Sequence, residues 1–293
     1  MTLFLDLRAT DVGGMPAAEV TPTDGVSPLA FPREAALAKI AALVDGRDVL
    51  LAAHGFNVSR QQGVQHFQSW EPLLILPPTT TFVGVLWPGD SRWAPIVDYP
   101  FEGGVAKQSG QLLAPFLNQY FSGALSLSFV SHSLGARVVL ETIRGLDRPV
   151  KRLILMAGAI DDDCLVDEYK DSAAKLSAAS VSVLASKKDE VLGLAFPIGN
   201  LVEGLITPGH PFWHAAIGHK GPHKPYAAQQ RGNWQIIDDW TYGHGSYLPE
   251  GPVACLPFSQ PVDVPPKGTP PYNNLPDDWR TAWSAGFVST RLA

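Results

Sequence analysis

Ser133 stands in the stretch FVSHSLGARVVL, Phe129 to Leu140, where an apolar run breaks into Ser-His-Ser-Leu-Gly and resumes with helical spacing. Small-x-Ser-x-Gly between a strand and a helix is the pattern of a nucleophile elbow, in which a sharp turn presents the serine at its tip. The small positions are Ser131 and Gly135, with serine at the place more often held by glycine. An ordinary strand-to-helix turn is the alternative reading. A serine hydroxyl attacks poorly until an imidazole takes its proton, and the imidazole needs a carboxylate to orient it.

The chain offers both downstream. In SVSVLASKKDEVL, Asp189 follows a candidate strand, and in DDWTYGHGSYLPE, His244 lies between Gly243 and Gly245. Asp189 could equally cap a helix starting near Glu190. Asp161, Asp162 and Asp163, after the preceding strand, are rival acids. Upstream, His54-Gly55-Phe56 ends another apolar run. Acyl transfer builds an oxyanion, and backbone amides aimed at it stabilise it; the amides of Phe56 and Leu134 are the candidates. His54 as a hydrogen-bonded core histidine is the plainer reading. Trp87, Trp93, Phe212 and Trp213 could line a substrate pocket, with Tyr99 and Phe101 in the same post-strand loop as Trp93, or they could serve packing.

A metal site is the rival chemistry, because HPFWHAAIGHKGPH brings His210, His214, His219 and His223 close in sequence. His210 and His214 have the i, i+4 spacing of zinc ligands, but no Glu lies between them and Pro211 disturbs the turn. Neither a metal nor a cofactor is expected.

These residues need a frame that brings distant segments to one edge. Strand candidates are Asp48–Phe56, Thr80–Trp87, Ser126–Ser133, Val150–Ile160, Ser180–Lys187 and Trp234–Trp240, with a further strand at the N-terminus. Most lack strict alternation, as expected of strands buried on both faces of a parallel sheet. Helix candidates begin at Pro32, run from Gly104 to Phe121, and follow the elbow from Leu134 to Arg144. Strands alternating with helices imply an α/β fold with a mostly parallel sheet. Residues 193–233, rich in Pro, Gly, His and aromatics, have the composition of a cap or long loop before the last strand. Residues 1–248 would form the domain, and the proline-dense tail 249–293 would pack on it through Trp279, Trp283 and Phe287.

The 293 residues, 45% of them hydrophobic, can fill a sizeable core, and the formal charge of −6 carries no basic block for nucleic acid or an anionic membrane. A neutral small molecule is the expected partner. No apolar run of about 18 residues suggests a transmembrane segment. The N-terminus lacks the basic and apolar regions of a signal peptide, so a cytoplasmic location is expected. Cys164 and Cys255 read as free thiols, a single bridge between them being the alternative.

HGFNVS, LWPGD, SHSLGARVV, SKKDEVL and YGHGSY, in that order from Val49 to Tyr247, resemble the landmarks of the α/β-hydrolase superfamily. The likeness is to a bacterial group of unknown function related to lipases and carboxylesterases. It implies an eight-stranded, mainly parallel sheet with helices on both faces. It also implies a set of Ser133, Asp189 and His244 acting on carboxylic esters through an acyl-enzyme, with a small ester or lipid as substrate. Thioesterase, peptidase and acyltransferase activities would use the same residues, and a non-catalytic binding protein on the same fold is the remaining alternative.

Overall fold

A computed structural model describes residues 2–25, 33–74, 76–90, 95–176, 181–193, 215–222, 233–236 and 243–245. The described strands form one eight-stranded sheet. They are β1 (Leu3–Arg8), β2 (Pro16–Thr23), β3 (Asp48–Ala53), β4 (Thr80–Leu86), β5 (Ser126–His132), β6 (Arg152–Met156), β7 (Val181–Ala185) and β8 (Asn233–Ile236), ordered β2-β1-β4-β3-β5-β6-β7-β8. Every neighbouring pair is parallel except β1 and β2. Five central strands read as near-continuous buried runs, such as VLLAA in β3 and LSFVSH in β5, because helices leave neither face to solvent.

The helices are α1 (Arg33–Val44), α2 (Arg60–Trp70), α3 (Pro95–Tyr120), α4 (Gly135–Gly145), α5 (Lys170–Ala174) and α6 (Ile217–Lys220). A capping box starts α2: the Ser59 hydroxyl accepts from the Gln62 amide, and the Gln62 side chain accepts from the Ser59 amide. Phe67 and Trp70 of α2 pack on Phe82 of β4 with ring centroids 6.1 and 5.9 Å away. Gly110 lets α3 lie directly on α4, since a Cβ there would come within 2.6 Å of Glu141 Cβ and 2.7 Å of the Val138 carbonyl.

One expectation changes, and two elements join those expected. The helix expected from Gly104 begins at Pro95, so Tyr99 and Phe101 belong to α3 and not to a loop. Strand β2 contains Pro16 and Pro22, which obscure it in the sequence; as the antiparallel edge strand it tolerates residues that cannot donate to a ladder. Helix α2 was not anticipated, because polar RQQ and QSW dilute its apolar stripe. Of the last strand candidate, Trp234–Trp240, residues 234–236 are described as part of β8, and its remainder lies outside the described residues. The tail 249–293 and Cys255 also lie outside them, while Cys164 is a buried free thiol.

Register decides where the site lies. Ala53 of β3 is level with Ser131 of β5, His132 with Met156 of β6, and Met156 with Leu184 of β7. The residues that follow these strands therefore emerge side by side. The chain leaves β3 for β4 on one side and leaves β5 for β6 on the other, so the gap between the carboxyl ends of β3 and β5 is a topological switch point. Open α/β sheets bind ligands at such points.

Candidate active site

The elbow is built by close approach. Ser133 has φ 51°, a left-handed conformation that a non-glycine residue adopts at a cost of about 1–3 kcal/mol. Its amide donates to the Met156 carbonyl (3.0 Å), and its carbonyl accepts from Ala159 N–H (3.1 Å), so the end of β6 and the turn after it clamp the elbow on both sides. A Cβ at Gly135 would lie 2.4 Å from the His54 carbonyl oxygen and 2.9 Å from that of Ala53. Glycine at this position is thus required by the passage of β3 beside the start of α4. Ser131 is fully buried, and its hydroxymethyl group fits where glycine was the commoner expectation.

Ser133 Oγ lies 2.7 Å from His244 Nε2, and His244 Nδ1 lies 2.8 Å from Asp189 Oδ2. With Nδ1–H donating to the carboxylate, Nε2 presents its lone pair to the serine hydroxyl, which donates to it. The Asp189 residue is 0% exposed and the His244 side chain 11%. The second carboxylate oxygen, Oδ1, accepts from Leu192 N–H at 3.0 Å. Asp189 thus does both things its position suggested: it caps the turn that follows it and meets the imidazole. The rival carboxyl-bearing segment is held differently. Asp162 N–H donates to the Ala215 carbonyl, and Asp161 forms an isolated bridge with Ala216.

On the other side of the serine, the His54–Phe56 turn abuts the elbow closely enough that a Cβ at Gly55 would lie 2.9 Å from Ser133 Cβ. The buried His54 ring is stacked on Trp87, with centroids 5.6 Å apart, and its Nδ1–H donates to the Gly55 carbonyl (2.9 Å). Because a trans peptide points its C=O and N–H in opposite directions, that bond also sets the direction of the Phe56 amide. Leu134 is the N-cap of α4, with φ −65°, where its amide has no intrahelical acceptor. Burial pushes the His54 imidazole down to about 3, which keeps it neutral.

Trp87, expected to line a pocket, is fully buried and donates its indole N–H to the His54 carbonyl (2.8 Å). Its described contacts are those of a brace behind the turn. Beside it, Arg8 at the end of β1 pairs with Asp90 and donates to the Trp87 carbonyl at 2.8 Å, so the LWPGD stretch ties the ends of β1 and β4 together. Trp93, Phe212 and Trp213 lie outside the described residues, as do His210, His214 and His223. Among the described residues no cluster of His, Cys, Asp and Glu could hold a metal ion. His219 sits on α6.

Two features were not read from the sequence. His132, the residue between the two serines, has Nε2 2.7 Å from the carbonyl oxygen of His244. The other is residues 215–222, part of the expected cap, which are bound to the sheet edge: Ile217 and Gly218 N–H donate to Ile160 and Gly158, and Ser186 N–H donates to Gly218. Gly218 permits this, because a Cβ there would come within 2.2 Å of the Ala157 backbone. Glycine and histidine in an irregular stretch carry no periodic signal that would have announced either contact.

No described helix is long and apolar enough to cross a membrane. No curated protein matches the chain. Among solved structures, the crystal structure of esterase PE8 is similar at a TM-score of 0.39 and 18% identity, over 68% of this chain and 86% of that one, a likeness too loose to carry an argument. The family model described as alpha/beta hydrolase of unknown function (DUF900) matches residues 32–210, which hold β3 to β7 and both the elbow and Asp189. With more than half of its length matched and the sheet in place, the chain belongs to this family of alpha/beta hydrolases.

Proposed function

We propose that the protein is a serine hydrolase of carboxylic esters, with Ser133 as nucleophile, His244 as general base and acid, and Asp189 as the carboxylate that orients it. The observation that carries the reading is the unbroken hydrogen-bond chain from the strained Ser133 through His244 to a fully buried Asp189. Ser133 Oγ attacks the ester carbonyl carbon as its proton passes to His244 Nε2. The resulting oxyanion is met by the amides of Phe56 and Leu134, each such donor being worth about 2.7–4 kcal/mol in comparable sites. Collapse breaks the bond to the alkoxy oxygen, which leaves with the proton from His244. Water then repeats the sequence on the acyl-enzyme and releases the acid.

A fluorophosphonate probe should label Ser133 stoichiometrically, and p-nitrophenyl esters of graded chain length should be hydrolysed. Ser133→Ala should lose both labelling and turnover while keeping its melting temperature. Labelling elsewhere, or an Ala variant that still turns over, would refute the assignment. The chain-length series reports how much acyl group the site accepts.

A further inference from the structure

We propose that His132 is a positioning residue that fixes His244 against Ser133 through the backbone of the late loop, an inference that rests on the catalytic reading above. The His244 side chain is anchored by Asp189, but its main chain runs Gly243-His244-Gly245, and neither flanking residue has a side chain with which to hold the loop. The main-chain anchor comes from the elbow: His132 Nε2 lies 2.7 Å from the His244 carbonyl oxygen, with the two rings 5.0 Å apart. A carbonyl oxygen only accepts, so Nε2 must carry the proton and donate it, which leaves Nδ1 bare. The ring has little freedom to leave this pose. It is buried, and on its other edge Nδ1 faces Gly55, where a Cβ would come within 2.9 Å.

The consequence is one of register. The anchor and the nucleophile are consecutive residues, so a displacement of the elbow moves the support of the base with the serine it must deprotonate. The spacing between Oγ and Nε2 is thereby held by two short links, one to the His244 carbonyl and one from the ring to Asp189. The titratable groups that act on His132 are His244, Asp189, His66 and His54, and burial with the neighbouring His244 ring holds it at about 3, neutral across the working range. A cationic His132 would place a second positive charge beside the imidazolium that forms during turnover. The neutral donor avoids this.

The test compares His132→Leu, which fills the site without a donor, with His132→Gln, whose Nε2 amide reaches about as far as the imidazole Nε2. Losing one neutral hydrogen bond to the base's loop should lower kcat and the rate of fluorophosphonate labelling by about tenfold in the Leu variant, with KM within about twofold. Gln should restore most of both. A Leu variant at the wild-type rate, or a Gln variant as slow as Leu, would overturn the proposal. If Ser133→Ala is inactive while His132→Leu is unaffected, only this inference fails; if Ser133→Ala remains active, the catalytic reading itself fails. Should neither His132 variant fold, 15N spectra of the histidine-labelled wild-type protein decide. A His132 ring with its proton on Nε2 and no titration between pH 8 and 5 is expected, and a proton on Nδ1 or a midpoint in that range would refute it.

Discussion

Asp189 carries two hydrogen bonds on two different oxygens, and this makes its substitution informative. In Asp189→Asn the amide oxygen can still accept from Leu192 N–H, so the local turn is kept, while the amide nitrogen faces His244 Nδ1. The ring must then give up its Nδ1 proton and carry it on Nε2, the wrong tautomer to receive a proton from Ser133. On the proposed reading, that change should cost about 10⁴ in kcat, as it does where a Ser-His-Asp set is established. Asp162→Asn should leave turnover near wild type, because Asp162 is tied to the 215–222 segment by its backbone amide, which the substitution keeps. Steady-state rates of the two variants check this, and equal losses would reassign the acid. The sequence offered four aspartates at two strand ends, and type alone could not choose among them. What distinguishes Asp189 is a register along β6 and β7 that sets its carboxylate opposite a loop 55 residues later.

At the scale of elements, glycines mark where main chains come too close for a side chain, and the contrast within α3 is testable. Gly110→Ala would push a methyl group to 2.7 Å from the Val138 carbonyl and 2.9 Å from the Thr142 amide, backbone atoms of α4 that cannot rotate aside. The overpacking, about 1–3 kcal/mol, should outweigh the roughly 1 kcal/mol that alanine gains in helix propensity. Gly104 in the same helix has nothing within 4 Å of a built Cβ, so Gly104→Ala collects the propensity without the clash. Thermal melts should show a lower midpoint for the first variant and an equal or higher one for the second; the reverse order would contradict the close α3–α4 packing. Most strands were legible because buried parallel strands are apolar along their whole length. Strand β2 and helix α2 were not. One is an edge strand that admits proline, and the other owes its helix to a capping box and to Phe67 and Trp70 finding Phe82.

Over the whole molecule, two buried neutral histidines link folding to pH. Burial lowers His54 and His132 from 6.5 to about 3. Below 6.5 the unfolded chain takes up protons that the folded chain refuses, so the unfolded state binds more protons and stability rises with pH in that window. The stabilisation is fully present above 6.5 and is lost progressively as pH falls toward 3. The melting temperature should therefore hold above pH 7 and decline between pH 6.5 and 5.5, before most carboxylates titrate; a flat profile there would mean these rings are charged or exposed. The same two rings show how the tasks divide between sequence and fold. The amino-acid sequence alone determined the alternation of strand and helix and the small-x-Ser-x-Gly turn, because these depend on local periodicity and steric demand. Only the tertiary structure decided that His132 meets the His244 main chain, that Trp87 braces the His54 turn, and that Asp189 rather than Asp162 reaches the ring. Such choices depend on the register of parallel strands and on distances across more than a hundred residues of chain, to which no local pattern is sensitive.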